Sequence, residues 1–230
     1  MFLGFAYVGK TQILNTDFRY LFDDLIRMKC NLSLIVPQIM HSLAKLLSNG
    51  NSLESLKALC CSGASIAPEV LKAFMARGIG VSIAYTMTET CGVGTFHVVN
   101  ESGKYSSVGK PGKDMEILIQ DGEICFRGDS VSPGYYKNPK ATAEVVQDGW
   151  LHSGDLGYMD EDGYIYITGR KKNLIILASG ENVSPEGLEA LLLKNSSIRE
   201  VLVKEKNDRS ARRFIAICRN RMRSKRISIR

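Results

Sequence analysis

Residues 17–85 alternate between helical and strand periodicity, and this alternation narrows the possible folds more than any other feature of the chain. DFRYLFDDLIRMK places Phe18, Leu21, Phe22, Leu25 and Met28 on one helical face. NLSLIV reads as a buried strand. PQIMHSLAKLLSNG reads as a helix, with Pro37 near its start and Gly50 just past its end. SLKALCC is a second strand, followed by an SGAS turn. PEVLKAFMARG is a helix opened by Pro68 and closed by Gly78, and GVSIAY is a third strand. Strands joined through helices of this length form βαβ units, which predicts a parallel sheet.

The pattern changes after Val108. MEILIQDGEICFRG reads as a hairpin, with Asp121 and Gly122 as its two-residue turn between alternating apolar runs. GYMDEDGYIYITG reads as another, turning at Asp160 to Gly163. From Lys172 the strand NLIILA and the helix PEGLEALLLKN open a smaller α+β unit. The expected division is residues 1–171 and 172–230.

The net charge of +6 is unevenly placed. From Lys204 to Arg230 there are eleven Lys/Arg and two Asp/Glu, a net of +9, so residues 1–203 carry −3. A basic run of this kind suits an anionic surface. It carries no aromatic interleaving beyond Phe214 and no nucleic-acid module. No specific nucleic-acid partner is expected, peripheral membrane contact stays open, and the tail is read as solvated or poorly folded. The six cysteines include no Cys-x-x-Cys pair. They read as buried reduced thiols of a cytoplasmic protein. The apolar opening MFLGFAYVG has neither the basic lead nor the cleavage site of a secretory signal.

In an open parallel sheet, ligands bind outside the carboxyl ends of the strands. Two loops leave those ends: Cys61-Ser62-Gly63-Ala64-Ser65 and Tyr85-Thr86-Met87-Thr88-Glu89. Small residues in the first let a flat ring approach the backbone. In the second, Tyr85 offers a stacking face, Thr88 a hydroxyl for a phosphate oxygen, and Glu89 a hard carboxylate for Mg²⁺. The plainer alternatives are a turn glycine and a helix cap. Asp155, on a loop after Gly154, can accept two ribose hydroxyls, or can be a turn aspartate. Arg170 can reach a ribose or a phosphate with its planar fork, or form a surface ion pair. The three histidines (41, 97 and 152) form neither a metal pattern nor a hydrolytic triad.

The order SGAS, YTMTE, GEICFRGDSVSPGYY, WLHSGDLG and GRKKNLIILASGENVSPEGLE resembles the AMP-dependent synthetase and ligase family, most closely its acyl-CoA synthetases. The resemblance covers residues 17–205 and rests on five motifs in order. It implies an α/β fold: the C-terminal half of a large adenylate-forming domain, with a parallel βαβ sheet followed by antiparallel hairpins, plus the start of a small α+β domain. It also implies that a small-molecule carboxylate is activated by ATP to an acyl-AMP and passed to coenzyme A. ATP or AMP, Mg²⁺ and coenzyme A are the implied ligands. Carried over by position, Gly63, Ala64 and Ser65 line the adenine and Tyr85 stacks on it. Thr88 and Glu89 handle phosphate and Mg²⁺, Asp155 holds the ribose with Arg170 beside it, and Lys172 marks a hinge between domains. The GRKKN stretch points to a long-chain fatty acid as substrate, with short-chain, aryl and aminoacyl acids left open. The alternative is a catalytically incomplete remnant that binds nucleotide or acyl-adenylate.

Three departures stand against the resemblance. The family's Ser/Thr/Gly-rich phosphate loop and its C-terminal catalytic lysine find no counterpart here, so the sequence is read as truncated at both ends. Thr86 stands where the family usually has glycine, a change expected to stiffen or strain the turn. Gly4 to Thr11 satisfies the pattern G-x-x-x-x-G-K-T, but only three residues precede it and its interior is bulky. It reads as an apolar strand ending in a turn rather than as a phosphate loop.

Overall fold

Each expected βαβ unit depends on a helix long enough to carry the chain back over the sheet, and the computed structural model supplies two of them. It describes residues 9–14, 17–63, 66–176, 181–193, 195, 198–208, 211–220 and 224–229. Most of the Gly4-to-Thr11 pattern, together with Ala64 and Ser65, lies outside these residues. Helix α1 (Leu21–Arg27) leads into strand β1 (Leu32–Ile35), helix α2 (Pro37–Ser48) and β2 (Ala58–Ser62). Helix α3 (Pro68–Met75) then leads to β3 (Gly80–Tyr85), and β4 (Thr95–Val98) follows a loop. Pro37 and Pro68 sit in the first turn of α2 and α3, where the missing N–H has no helical partner to lose.

β1, β2 and β3 pair in parallel, with Ala58 opposite both Leu32 and Gly80. β4 pairs antiparallel to β3, and the short β5 (Lys110–Pro111) pairs antiparallel to β4. The sheet therefore runs β1-β2-β3-β4-β5, parallel on one side and antiparallel on the other. Its core gathers Met40, Leu43 and Leu47 of α2, Leu71 and Phe74 of α3, and Leu59, Cys61, Val81 and Ile83 of the strands.

Two expectations change at the edge of this sheet. NLSLIV is not buried on both faces. β1 ends the sheet, and among the described residues only one of its faces is covered, so Leu32 and Leu34 stay 43% and 44% exposed. The apolar stripe of the first helix is also shorter than its sequence suggests. Phe18 to Tyr20 form a 3₁₀ turn, whose tighter winding rotates Phe18 off the stripe, and the α-helix stops before Met28. Leu21 and Leu25 are the residues buried from this helix.

The hairpins form as read. β6 (Met115–Gln120) and β7 (Glu123–Gly128) are joined by Asp121 and Gly122, both at positive φ (50° and 78°), as a two-residue hairpin turn of primed type requires. Helix α5 (Pro139–Val145) follows a short helix, α4 (Val99–Ser102), in chain order. It leads to β8 (Val146–Gln147), β9 (Trp150–Met159) and β10 (Ile165–Arg170). The second sheet runs β10-β9-β7-β6, with β8 paired to β9. At the Asp160 turn, Lys104 Nζ lies 2.6 Å from carboxylate oxygens of both Asp160 and Asp162. That ion pair holds the Asp160 carboxyl well down, to about 2.

β11 (Ile175–Ile176) pairs with β12 (Asn182–Val183), and helix α6 (Pro185–Leu193) follows. Ser184 Oγ accepts the Gly187 N–H at 3.3 Å, an N-cap for this helix. The basic tail is not free chain: β13 (Ile198–Asp208), β14 (Ala211–Asn220) and β15 (Ser224–Ile229) form an antiparallel sheet. Alternating apolar residues in FIAIC and ISI provide the strand period that the charge count obscured. Val203 packs with Leu188, Leu192, Ile198 and Val201.

The chain divides into two compact units. One comprises residues 1–117, 126–151 and 160–166; the other comprises 118–125, 152–159 and 167–230. Phe74 is fully buried in the core of the first. Phe74→Ala is expected to lower the unfolding free energy by about 3–5 kcal/mol, read as a drop in the urea midpoint at unchanged slope.

Candidate functional site

In the first unit, the register of β2 and β3 sets the site. Ser62 lies opposite Ala84, so the loops that follow these strands leave the sheet side by side. Ser62 Oγ and Thr86 Oγ1 approach to 3.5 Å. Thr86 takes no positive φ, so the hydroxyl residue in place of the family's glycine brings no left-handed strain. Gly63 does require that region, at φ 101°, and nothing lies within 4 Å of where its side chain would start. Tyr85 is half-buried, its ring 5.6 Å from that of Phe126.

The second loop is closed by a residue that the sequence reading passed over. Thr90 is fully buried. Its hydroxyl accepts the Met87 N–H at 3.2 Å and donates to the Met87 carbonyl at 3.1 Å. The Cys91 N–H reaches the Thr88 carbonyl at 3.0 Å, and the Gly92 N–H reaches the Met87 carbonyl at 3.1 Å. Thr88 and Glu89 therefore sit on a tight turn, not on a helix cap, and the Thr88 side chain is exposed. Glu89 is held twice. Its carbonyl accepts the Ser132 N–H at 2.7 Å, and Oε1 accepts the Tyr135 hydroxyl at 2.7 Å. The hydrogen bond to Glu89 pushes the Tyr135 phenol up. A single carboxylate so oriented fits Mg²⁺, which takes one or two protein carboxylates and fills its other positions with phosphate and water. Among the described residues, no cluster of three acidic, histidine or cysteine ligands offers a different metal site.

In the second unit, β9 alternates its side chains so that Ser153 and Asp155 point inward. Asp155 is 4% exposed. Arg170, at the end of β10, meets it with Nε 2.6 Å from Oδ1 and Nη2 3.5 Å from Oδ2. The Asp155 N–H donates to Ser153 Oγ at 3.0 Å. Asp155 is thus a buried carboxylate with a guanidinium partner, not a surface turn residue. Lys172 follows in a 3₁₀ turn (Lys171–Asn173) and is exposed.

A second carboxylate in this unit escaped the sequence reading. Glu123 opens β7 and is 4% exposed. Its Oε1 accepts the Gly154 N–H at 2.8 Å, while Oε2 lies 2.8 Å from Lys171 Nζ and 3.2 Å from His152 Nδ1. Burial pushes this carboxyl up, but Lys171, His152 and the Gly154 N–H outweigh it and hold the pKa below its ordinary 4.5. The available signal was a lone acid in the otherwise apolar strand EICF. The expected site residues therefore fall into two sets, with Gly63, Tyr85, Thr88 and Glu89 in one unit and Asp155, Arg170 and Lys172 in the other.

Of the described cysteines, Cys30, Cys60, Cys61, Cys91 and Cys125 are all free. Cys60, Cys61 and Cys125 are buried as expected, and burial pushes the Cys61 thiol to about 11, whereas Cys91 is exposed. No helix among the described residues is long and apolar enough to cross a membrane.

A mixed sheet with two adjoining loops at its strand ends, and a carboxylate–guanidinium pair on a hairpin, are the parts of a nucleotide-handling α/β protein. The chain belongs to the AMP-binding enzyme family, whose pattern it matches over residues 1–136. It is 34% identical to the 2-succinylbenzoate–CoA ligase of Bacillus cytotoxicus, over 76% of this chain and 38% of that one. The chain thus spans well under half the length of this curated relative. The o-succinylbenzoate coenzyme A synthetase of Bacillus subtilis, solved with its acyl-adenylate intermediate, superposes with a TM-score of 0.81 at 27% identity, covering 94% of this chain and 47% of that one. The same enzyme has been solved with ATP and magnesium ion. A Mycobacterium tuberculosis fatty acyl CoA synthetase superposes with a TM-score of 0.70 at 25% identity, covering 90% of this chain and 43% of that one.

The lowered Glu123 pKa is a statement about stability. A carboxyl depressed in the folded state stabilises the fold above its unfolded pKa, and that contribution is lost as pH falls through the folded value. Unfolding followed in urea from about pH 6 to about pH 3 is expected to show stability falling below about pH 4.5, with a shallower fall in Glu123→Gln.

Proposed function

We propose that this chain is part of an acid–thiol ligase that activates a small carboxylate with ATP and passes it to coenzyme A. A substrate carboxylate oxygen attacks the α-phosphorus of ATP, and the bond to pyrophosphate breaks to leave an acyl-AMP. The thiol of coenzyme A then attacks the acyl carbon, loses its proton and releases AMP. The observation that carries this reading is the buried Asp155 with Arg170 at 2.6 Å. A buried carboxylate needs a cation, and a carboxylate presents two acceptor oxygens, the chemistry that recognises a pair of vicinal hydroxyls.

In this reading the 2′ and 3′ hydroxyls of the nucleotide bind Asp155, and Arg170 stays beside the ribose. Gly63, Ala64 and Ser65 line the adenine, which Tyr85 stacks on. Thr88 donates to a phosphate oxygen, and Glu89, aimed by Tyr135, holds Mg²⁺. The ion supplies electrostatic stabilisation of the charge that builds on the phosphates. Lys172 is the hinge between a larger domain up to residue 171 and a smaller one from 172, a division that falls inside the second compact unit. The relatives favour an aromatic dicarboxylate such as 2-succinylbenzoate over the long-chain fatty acid expected from the GRKKN stretch. The second reading is a remnant that binds nucleotide or acyl-adenylate without turnover.

Calorimetric titration with AMP tests the ribose assignment. Asp155→Ala is expected to weaken binding at least about tenfold, since two hydroxyl-to-carboxylate bonds contribute about 1.5–3 kcal/mol each. Equal affinity in the variant would overturn it. Glu89→Gln is expected to leave AMP binding intact and remove the Mg²⁺-dependent part of ATP binding. Carboxylate-dependent exchange of labelled pyrophosphate into ATP separates the two readings: exchange marks a ligase, and nucleotide binding without exchange marks the remnant.

A further inference from the structure

We propose that Glu123 is a positioning residue for nucleotide binding, a buried carboxylate that ties down the chain on both sides of the Asp155–Arg170 pair. The proposal rests on the reading of Asp155 as the ribose acceptor. Gly154 immediately precedes Asp155, and Lys171 immediately follows Arg170. Glu123 binds both: Oε1 accepts the Gly154 N–H at 2.8 Å, and Oε2 takes Lys171 Nζ at 2.8 Å. His152, two residues before Gly154, adds Nδ1 at 3.2 Å. One side chain on β7 thus touches three residues that bracket the pair.

Sheet order explains why a side chain is needed here. β9 lies between β7 and β10. Gly154 interrupts the extended conformation of β9 at φ 73°, and a carboxylate takes its N–H. Lys171, just past the end of β10, reaches beyond β9 to the same carboxylate. The bend at Gly154 and the end of β10 are therefore referred to one fixed point. Without it, Asp155 and Arg170 would still attract each other, but the direction of their shared face would not be set. Orientation of this kind affects a ligand that needs two oxygens at defined angles far more than one that does not.

Glu123 could instead serve stability alone, and the selectivity for a ribose diol separates the two roles. The measured quantity is the ratio of calorimetric affinities for AMP and 2′,3′-dideoxy-AMP. The wild-type chain is expected to favour AMP, and Asp155→Ala to remove the preference. Glu123→Ala is expected to lower the preference about tenfold, on the scale of other outer-shell supports. Glu123→Gln, which keeps an acceptor for Gly154, is expected to recover part of it. Lys171→Met removes one arm, nearly preserves volume and is expected to fall between. If Glu123→Ala does not fold, the Gln and Met variants carry the test. A preference unchanged in Glu123→Gln and Lys171→Met but absent in Asp155→Ala overturns the proposal and leaves the ribose reading standing. A preference that survives Asp155→Ala overturns the ribose reading itself.

Discussion

Two carboxylates buried in the same unit must each be neutralised, and that requirement organises the region around Asp155. An ionised acid removed from water costs several kcal/mol unless cations and donors replace its solvation. Asp155 takes Arg170, and Glu123 takes Lys171, His152 and a backbone amide. Arg170 and Lys171 are consecutive, so the end of β10 supplies both cations. The chain cannot shift there without stranding one charge or the other. The path of β9 through Gly154 is constrained from the same side, which makes this hairpin end a fixed platform rather than a loop.

The other set of site residues depends on a different constraint. Parallel pairing of β2 with β3 puts both carboxyl ends at the same edge, and the loops that follow have no choice but to be neighbours. Thr90 then converts the second loop from a flexible connection into a closed turn, using one hydroxyl as both donor and acceptor. Glu89 gains its direction from Tyr135, forty-six residues further along. Thr88 and Glu89 thus sit on a rigid support, and Thr90 and Tyr135, which supply it, are residues that a search for chemistry overlooks.

Family membership and substrate are separate matters in this molecule. Its relatives share the fold at TM-scores of 0.81 and 0.70, yet one is described as a succinylbenzoate enzyme and the other as a fatty acyl enzyme. A scaffold that positions a nucleotide leaves the acyl end to be shaped by side chains that differ between members. The GRKKN stretch contains Arg170 itself, the partner of Asp155, and Lys171, the partner of Glu123.

Local patterns in the sequence determined the secondary structure and its chain order. The apolar periods, the prolines at the starts of α2 and α3, and the Asp121-Gly122 turn are short-range signals, and α2, α3 and the β6–β7 hairpin that they marked are present. The motifs likewise singled out Asp155, Arg170, Glu89 and Tyr85 as candidates, because their chemistry is visible in residue type and spacing. Exposure at the sheet edge was not legible: whether Leu32 and Leu34 are covered depends on which strand ends the sheet. The strands of the tail were missed because its charge was weighed over its alternation. Thr90, Tyr135, Glu123 and Lys171 became visible only in three dimensions. Their roles are relations between side chains and backbone groups brought together by folding, over as many as 48 residues for Lys171 and Glu123, and no local pattern encodes such a meeting.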